Sequence, residues 1–361
     1  MFDILTNFEL SKKISIDKLG ITFRKLSKKE KESILNDIDK YYTKNKQSIN
    51  MYIKKYNYDE DLKLNIELLK YDNITRETIM LCFLGKKQGF KFNSINQINK
   101  ILNNMIIIDI KKDVFLEYVE EKNIKKIISN ILSLYDIYSS DIKFNKNVRM
   151  DYSFILDQSI LNSKDENHYQ YLITNIIMSY KSTMVKNTEL SEDFLVKISE
   201  FFSKLNKIEI RRFLWILDMF YSSSSMIQNN VINNITISES ILIKEGEDIK
   251  SSYILKAGLI LKHYASGKTT TVNKFIHDYL SYCYDIRSAV VHGNEEKILD
   301  SYSSFIQKNK EFNSLVKDKE LNYCDKKNNA MGMAYMMSSI VNRAIIKYWL
   351  DYPSNISYIK N

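Results

Sequence analysis

Met333-Ala-Tyr-Met-Met337-Ser-Ser-Ile340-Val341-Asn-Arg-Ala344-Ile345 decides the fold. Its apolar residues recur at three- and four-residue steps, which line them up along one stripe of a helix. Working back along the chain, three more stretches read the same way. They are Ile276, Tyr279, Leu280, Cys283 and Ile286; Ile249, Tyr253, Ala257, Ile260 and Leu261; and Ile210, Phe213, Leu214, Leu217 and Phe220. Four long amphipathic segments joined by loops without proline predict a helical bundle. The methionines of the last stripe suit core filling, because a thioether adapts to irregular gaps. One proline, Pro353, and eight glycines in 361 residues leave few turn signals, which argues against a sandwich or barrel of many short strands.

Nearer the N-terminus the period changes. Ile14 with Ile16, Ile21 with Phe23, and Ile49, Met51 and Ile53 alternate with polar neighbours as strands do, and 77–84 and 105–110 read as strands too. A capping box, Ser27-x-x-Glu30, opens a helix. Helices are also expected over 62–69, 94–104 and 114–135. From about residue 147 the strand signals stop, and 151–161, 168–184 and 192–205 read as helical. The chain is therefore mainly α: a smaller α+β N-terminal domain over 1–146, a helical connector over 147–194, and the bundle over 195–361.

Composition narrows the class. Hydrophobic residues make up 44% and aromatics 12%, which excludes wholesale disorder. The longest apolar run, at 105–110, is broken by Asp109 and falls far short of the ~18–20 residues of a membrane span, so no membrane partner is expected. The first residues show neither a basic region nor a small-residue cleavage site. Cys82, Cys283 and Cys324 form no C-x-x-C pair, which suits buried thiols in a reducing, cytoplasmic setting. A net charge of +9 gives weak support for a polyanionic partner.

Several chemistries fail on spacing. Gly267-Lys268-Thr269 is no phosphate loop, because the position that needs the first glycine is Lys262. His168, His263, His277 and His292 have no i, i+4 histidine partner and no carboxylate cluster around them, so no metal or other cofactor is expected. No Gly-x-Ser-x-Gly elbow presents a serine. What remains is Tyr282-Cys-Tyr-Asp-Ile-Arg287-Ser288-Ala-Val-Val-His292-Gly293-Asn294, which sets an arginine and a histidine at the end of a helix that Gly293 stops. Five residues turn an ideal helix by about 140° past a full turn, so the two side chains share no face. Either the last turn loosens, or a second copy completes the site. An imidazole can move protons near neutral pH while a guanidinium stabilises charge on phosphate oxygens. The plainer alternative is a helix-capping histidine and an arginine paired with an acid such as Asp285.

The setting Tyr-x-x-Arg287-Ser288-x-x-x-His292-Gly293 resembles the R-x4–6-H signature of the HEPN superfamily, in its Apea-like form. Ile237-Ser-Glu239-Ser-Ile-Leu242 resembles the leucine- and glutamate-bearing helix start of that branch. Residues 248–261 resemble its next helix, and Arg211-Arg-Phe-Leu-Trp215 to Phe220 its first. The resemblance covers about 195–350. Ser288 stands where many HEPN ribonucleases carry Asn, Asp or His, and Glu245-Gly246-Glu247-Asp248 is acidic for an RNA-binding surface.

The resemblance implies a HEPN-like bundle that dimerises and a metal-independent endoribonuclease of phage defence or toxin systems, with RNA as substrate. His292 and Arg287 would be catalytic, with Ser288 and Glu239 in support. The N-terminal domain would answer to a regulatory protein or phage trigger. A non-catalytic HEPN scaffold that binds a protein or RNA is the other function the resemblance allows.

Overall fold

The computed structural model describes residues 2–5, 8–32, 103–139, 155–157, 190–222, 224–264, 270–309 and 323–355. The expected elements at 49–53, 62–69, 77–84, 94–102 and 168–184, together with Cys82 and His168, lie outside these residues. Among the described residues the chain is mostly helical, with one small sheet, and no helix is long and apolar enough to cross a membrane. Two compact units form, each from two stretches of chain: 1–125 with 149–203, and 126–148 with 204–361.

The first unit holds an antiparallel sheet of β1 (Phe2–Leu5), β2 (Ile14–Ile16), β3 (Ile21–Lys25), β4 (Met105–Ile110) and β5 (Ile155–Asp157), in the order β2-β3-β4-β1-β5. Met105 to Ile108 are all buried, as befits a central strand covered on both faces. On β2 and β3 the burial alternates, with Ile14, Ile16, Ile21 and Phe23 inward. Gly20 joins those strands at φ 63°, and a Cβ there would stand 3.0 Å from Lys111 and Val114 Cβ atoms, so both the backbone and the space require glycine. The capping box is present: Ser27 N–H donates to Glu30 at 2.7 Å, and Glu30 N–H donates to Ser27 Oγ at 3.3 Å. The helix Glu192–Lys204 belongs largely to this unit, and its Ser199 hydroxyl donates to the Ser15 carbonyl.

Two expectations change here. Residues 155–157 lie inside a stretch read as helix but pair with β1 as a strand, so strand structure does not stop at 147. The helix expected over 114–135 is broken. Lys112–Phe115 forms a single turn, a 3-10 turn follows at Glu121–Asn123, and α-helix resumes only at Ile124–Ser133 and Tyr135–Ser139. Glu120 between them is extended, with ψ 145°.

Labelled in chain order, the helices are α1 (Lys112–Phe115), α2 (Ile124–Ser133), α3 (Tyr135–Ser139), α4 (Glu192–Lys204), α5 (Lys207–Tyr221), α6 (Ile227–Leu242), α7 (Ile249–Tyr264), α8 (Thr270–Val291), α9 (Glu295–Lys308) and α10 (Tyr323–Asp351). The second unit is a bundle in which α8 packs against α6, α7, α9 and α10. The four apolar stripes face its core, with Leu280, Cys283, Ile286, Val341, Ala344 and Ile345 fully enclosed. Ile249 departs from its stripe and is exposed, and so is Cys324, which was expected to be buried. Where α6 meets α10 the core turns polar. Ser238 Oγ donates to Asn342 Oδ1 at 2.6 Å, Asn342 Nδ2 donates to Asn234 Oδ1 at 3.3 Å, and Asn234 Nδ2 donates to Ser338 Oγ at 3.1 Å.

The stretch 126–139, read from sequence as N-terminal domain, groups with the bundle. Lys347 of α10 donates to the Tyr138 carbonyl at 3.0 Å, and Lys126 pairs with Asp218 of α5 at 2.6 Å. Burial raises the carboxyl of Asp136 on α3 to about 6, against the opposing charge of Arg343. An acid held above its unfolded value of about 4 binds its proton more tightly in the folded chain. That stabilisation is full below about pH 4 and is lost as the pH rises through about 6. Asp136→Asn should therefore melt higher than wild type at about pH 7.5 and converge with it near about pH 4. Parallel melting curves across that range would contradict this.

Candidate functional site

The site is built at the C-terminal end of α8. The helix ends in a Schellman motif, in which the Asn294 amide reaches back to the Ala289 carbonyl at 2.8 Å and the Gly293 amide to Val290 at 3.2 Å. Gly293 takes φ 65°, and a Cβ there would meet nothing within 4 Å, so only its backbone conformation calls for glycine. The Asn294 side chain then accepts from the Lys297 amide at 2.9 Å and caps α9. One asparagine thus closes one helix and opens the next.

His292 is the last residue before that turn. Its amide donates to the Ser288 carbonyl at 3.1 Å, and its side chain is exposed. Among the described residues no hydrogen bond or ion pair holds the imidazole. Ser288 is half-buried one turn earlier on the same side of α8.

Arg287 turns inward instead. Its Nη2 donates to Glu239 Oε2 of α6 at 3.3 Å, with the two side chains 25% and 16% exposed. Its guanidinium carbon lies 5.9 Å from the centre of the Tyr284 ring. Burial raises the Glu239 carboxyl above the usual range, because the nearby Arg287 charge offsets only part of the desolvation. Glu239 belongs to the last turn and a half of α6, so Ile237–Leu242 closes a helix where the resemblance implied a helix start. Asp285 does not pair with Arg287; it accepts from Lys250 of α7 at 2.7 Å.

The structure therefore brings Arg287 and Glu239 together, leaves Ser288 half-buried one turn from His292, and keeps His292 exposed on the surface. Sequence reading missed the lining behind the arginine, Tyr253 of α7 and Tyr284 of α8, whose rings lie 6.0 Å apart. The available signal was a tyrosine at an apolar position of the α7 stripe, because a buried tyrosine brings a hydroxyl that needs a partner. Among the described residues no group of three or more His, Cys, Asp or Glu stands close enough to hold a metal ion. A half-buried guanidinium held by a carboxylate can clamp an anion, and an accessible imidazole five residues along, at the end of the same helix, can exchange a proton. No protein-family model, curated protein or solved structure matches this chain.

Proposed function

We propose that the bundle is a HEPN-type, Apea-like endoribonuclease, a phage-defence or toxin effector that cuts RNA without a metal ion. The reading rests on one observation. An exposed imidazole stands at the end of a helix whose preceding turn carries an arginine anchored by a half-buried carboxylate. In this chemistry the ribose 2′-hydroxyl attacks the adjacent phosphorus and the 5′-oxygen leaves. His292 serves proton transfer, and Arg287 offsets the charge growing on the non-bridging oxygens. Glu239 holds the guanidinium, and Ser288 is a supporting polar group. The α+β unit would then restrain the site or receive a trigger.

The reaction takes one proton from the 2′-hydroxyl and delivers one to the leaving oxygen. A two-fold pair of bundles supplies a second His292 and Arg287 for that exchange. Light scattering should show a homodimer at micromolar concentration. A strict monomer that still cleaved RNA would sink the shared cleft.

The test of activity uses end-labelled single-stranded RNA and tRNA with excess chelator present. Cleavage should persist, leave a 2′,3′-cyclic phosphate and a 5′-hydroxyl, and stop when the sugar at the cut is 2′-deoxy, since that hydroxyl is the nucleophile. Activity lost on chelation, or single-stranded DNA cut at a comparable rate, would overturn the reading. The Arg287–Glu239 contact is the observation that favours the alternative, a scaffold, because such a pair also serves simply to join two helices. A scaffold would show no cleavage by wild type.

A further inference from the structure

Three buried polar atoms near the inner side of Arg287 have no hydrogen-bond partner among the described residues: Arg287 Nε, Glu239 Oε1 and the Tyr253 hydroxyl. They come from α8, α6 and α7 in turn. Tyr253 is fully enclosed, and its ring neighbours Tyr284, the same ring that flanks the guanidinium. Burial raises the Tyr253 hydroxyl well above its ordinary range, with Cys283, Tyr279 and the Glu239 charge adding to the effect. The hydroxyl therefore keeps its proton and can act as a donor. The bond that is formed, from Arg287 to Glu239 at 3.3 Å, is longer than the ~2.7–2.9 Å of a tight charge-assisted contact. Glu239 thus has one oxygen engaged by Arg287 and one buried oxygen without a partner, while the Tyr253 hydroxyl on α7 is a buried donor without a partner.

We propose that Tyr253 and Arg287 are alternative donors to Glu239. When the guanidinium moves outward to a phosphate, the Tyr253 hydroxyl takes over the carboxylate, so the arginine is released without leaving a buried anion alone. Tyr253 is a positioning residue: it acts on Arg287 through Glu239 and touches no substrate. The consequence for cleavage rests on the ribonuclease reading; the exchange of donors does not.

The test is a double-mutant cycle in the full chain, read by thermal unfolding near neutral pH. Tyr253→Phe alone removes a hydroxyl that has no partner, so the melting temperature should hold or rise. In an Arg287→Met background, which keeps the packing of the stem but removes the first donor, the same change should lower it by roughly 3–6 °C. Adding Glu239→Leu should abolish that difference. An equal shift from Tyr253→Phe in both backgrounds would overturn the proposal. In the cleavage assay Tyr253→Phe should raise KM about tenfold without lowering the melting temperature, whereas a merely structural hydroxyl would move both together. RNA left intact by wild type would sink the ribonuclease reading while leaving the cycle interpretable.

Discussion

His292→Ala should reduce single-turnover RNA cleavage by about 10²- to 10⁴-fold, the contribution typical of a positioned proton-transfer group. The same variant should melt within about 0.5 kcal/mol of wild type. The imidazole is exposed, and the turn that holds it is made of backbone bonds from Gly293 and Asn294, which alanine at 292 leaves in place. Arg287→Ala should lose activity as well, but it should also cost stability, since it leaves the half-buried Glu239 beside no cation. Polar residues at a helix end ordinarily contribute little packing and are cheap to truncate; the inward turn of Arg287 removes it from that rule, and His292 stays within it. If His292→Ala kept more than about a tenth of the cleavage rate, the imidazole would not carry the proton transfer.

The largest expected loss of stability lies in the polar seam between α6 and α10. Asn342→Ala should destabilise the bundle by about 3 kcal/mol, seen as a drop of roughly 6–10 °C in the melt. Asn342 is fully buried, accepts from Ser238 and donates to Asn234, so its truncation strands one donor and one acceptor between α6 and α10. The groups are satisfied only as a set, which makes their energies non-additive. Adding Asn234→Ala should cost less than it does alone, because part of its bonding is already lost. A cost for Asn342→Ala below about 1 kcal/mol, or strict additivity of the pair, would show that the network contributes little.

What the sequence reveals follows how local each signal is. The stripe of α8 and the stop at Gly293 are legible, because helical period and a left-handed cap are properties of neighbouring residues. Arg287 and His292 stand out by their spacing at that stop, and Glu239 only through the resemblance. That Glu239 meets Arg287, rather than Asp285, depends on how α6 and α8 cross. The Asn234–Asn342 seam is hidden for the same reason: a polar residue in an apolar stripe reads as an interruption until its partner, 108 residues away, is known. β5 is missed because three residues, Ile155–Asp157, are too short a run for alternation to appear. α9 is missed although Asn294 caps it, since its polar surface hides the four buried residues Ile298, Tyr302, Phe305 and Ile306.

The two-stretch make-up of each unit has a consequence for the order of synthesis. The chain passes between the units at 125–126, 148–149 and 203–204, so the first unit is incomplete until residue 203 has been made. α3 leaves the ribosome long before its partner helix, since Tyr138 and the lysine that caps its carbonyl are 209 positions apart. Ile137, buried in the finished bundle, lacks that cover through the interval. Contacts so distant along the chain form slowly, and apolar faces exposed meanwhile invite association with other nascent chains. The nascent protein is thus most exposed to aggregation while α4 to α9 are being translated, and that risk closes only when the final helix arrives.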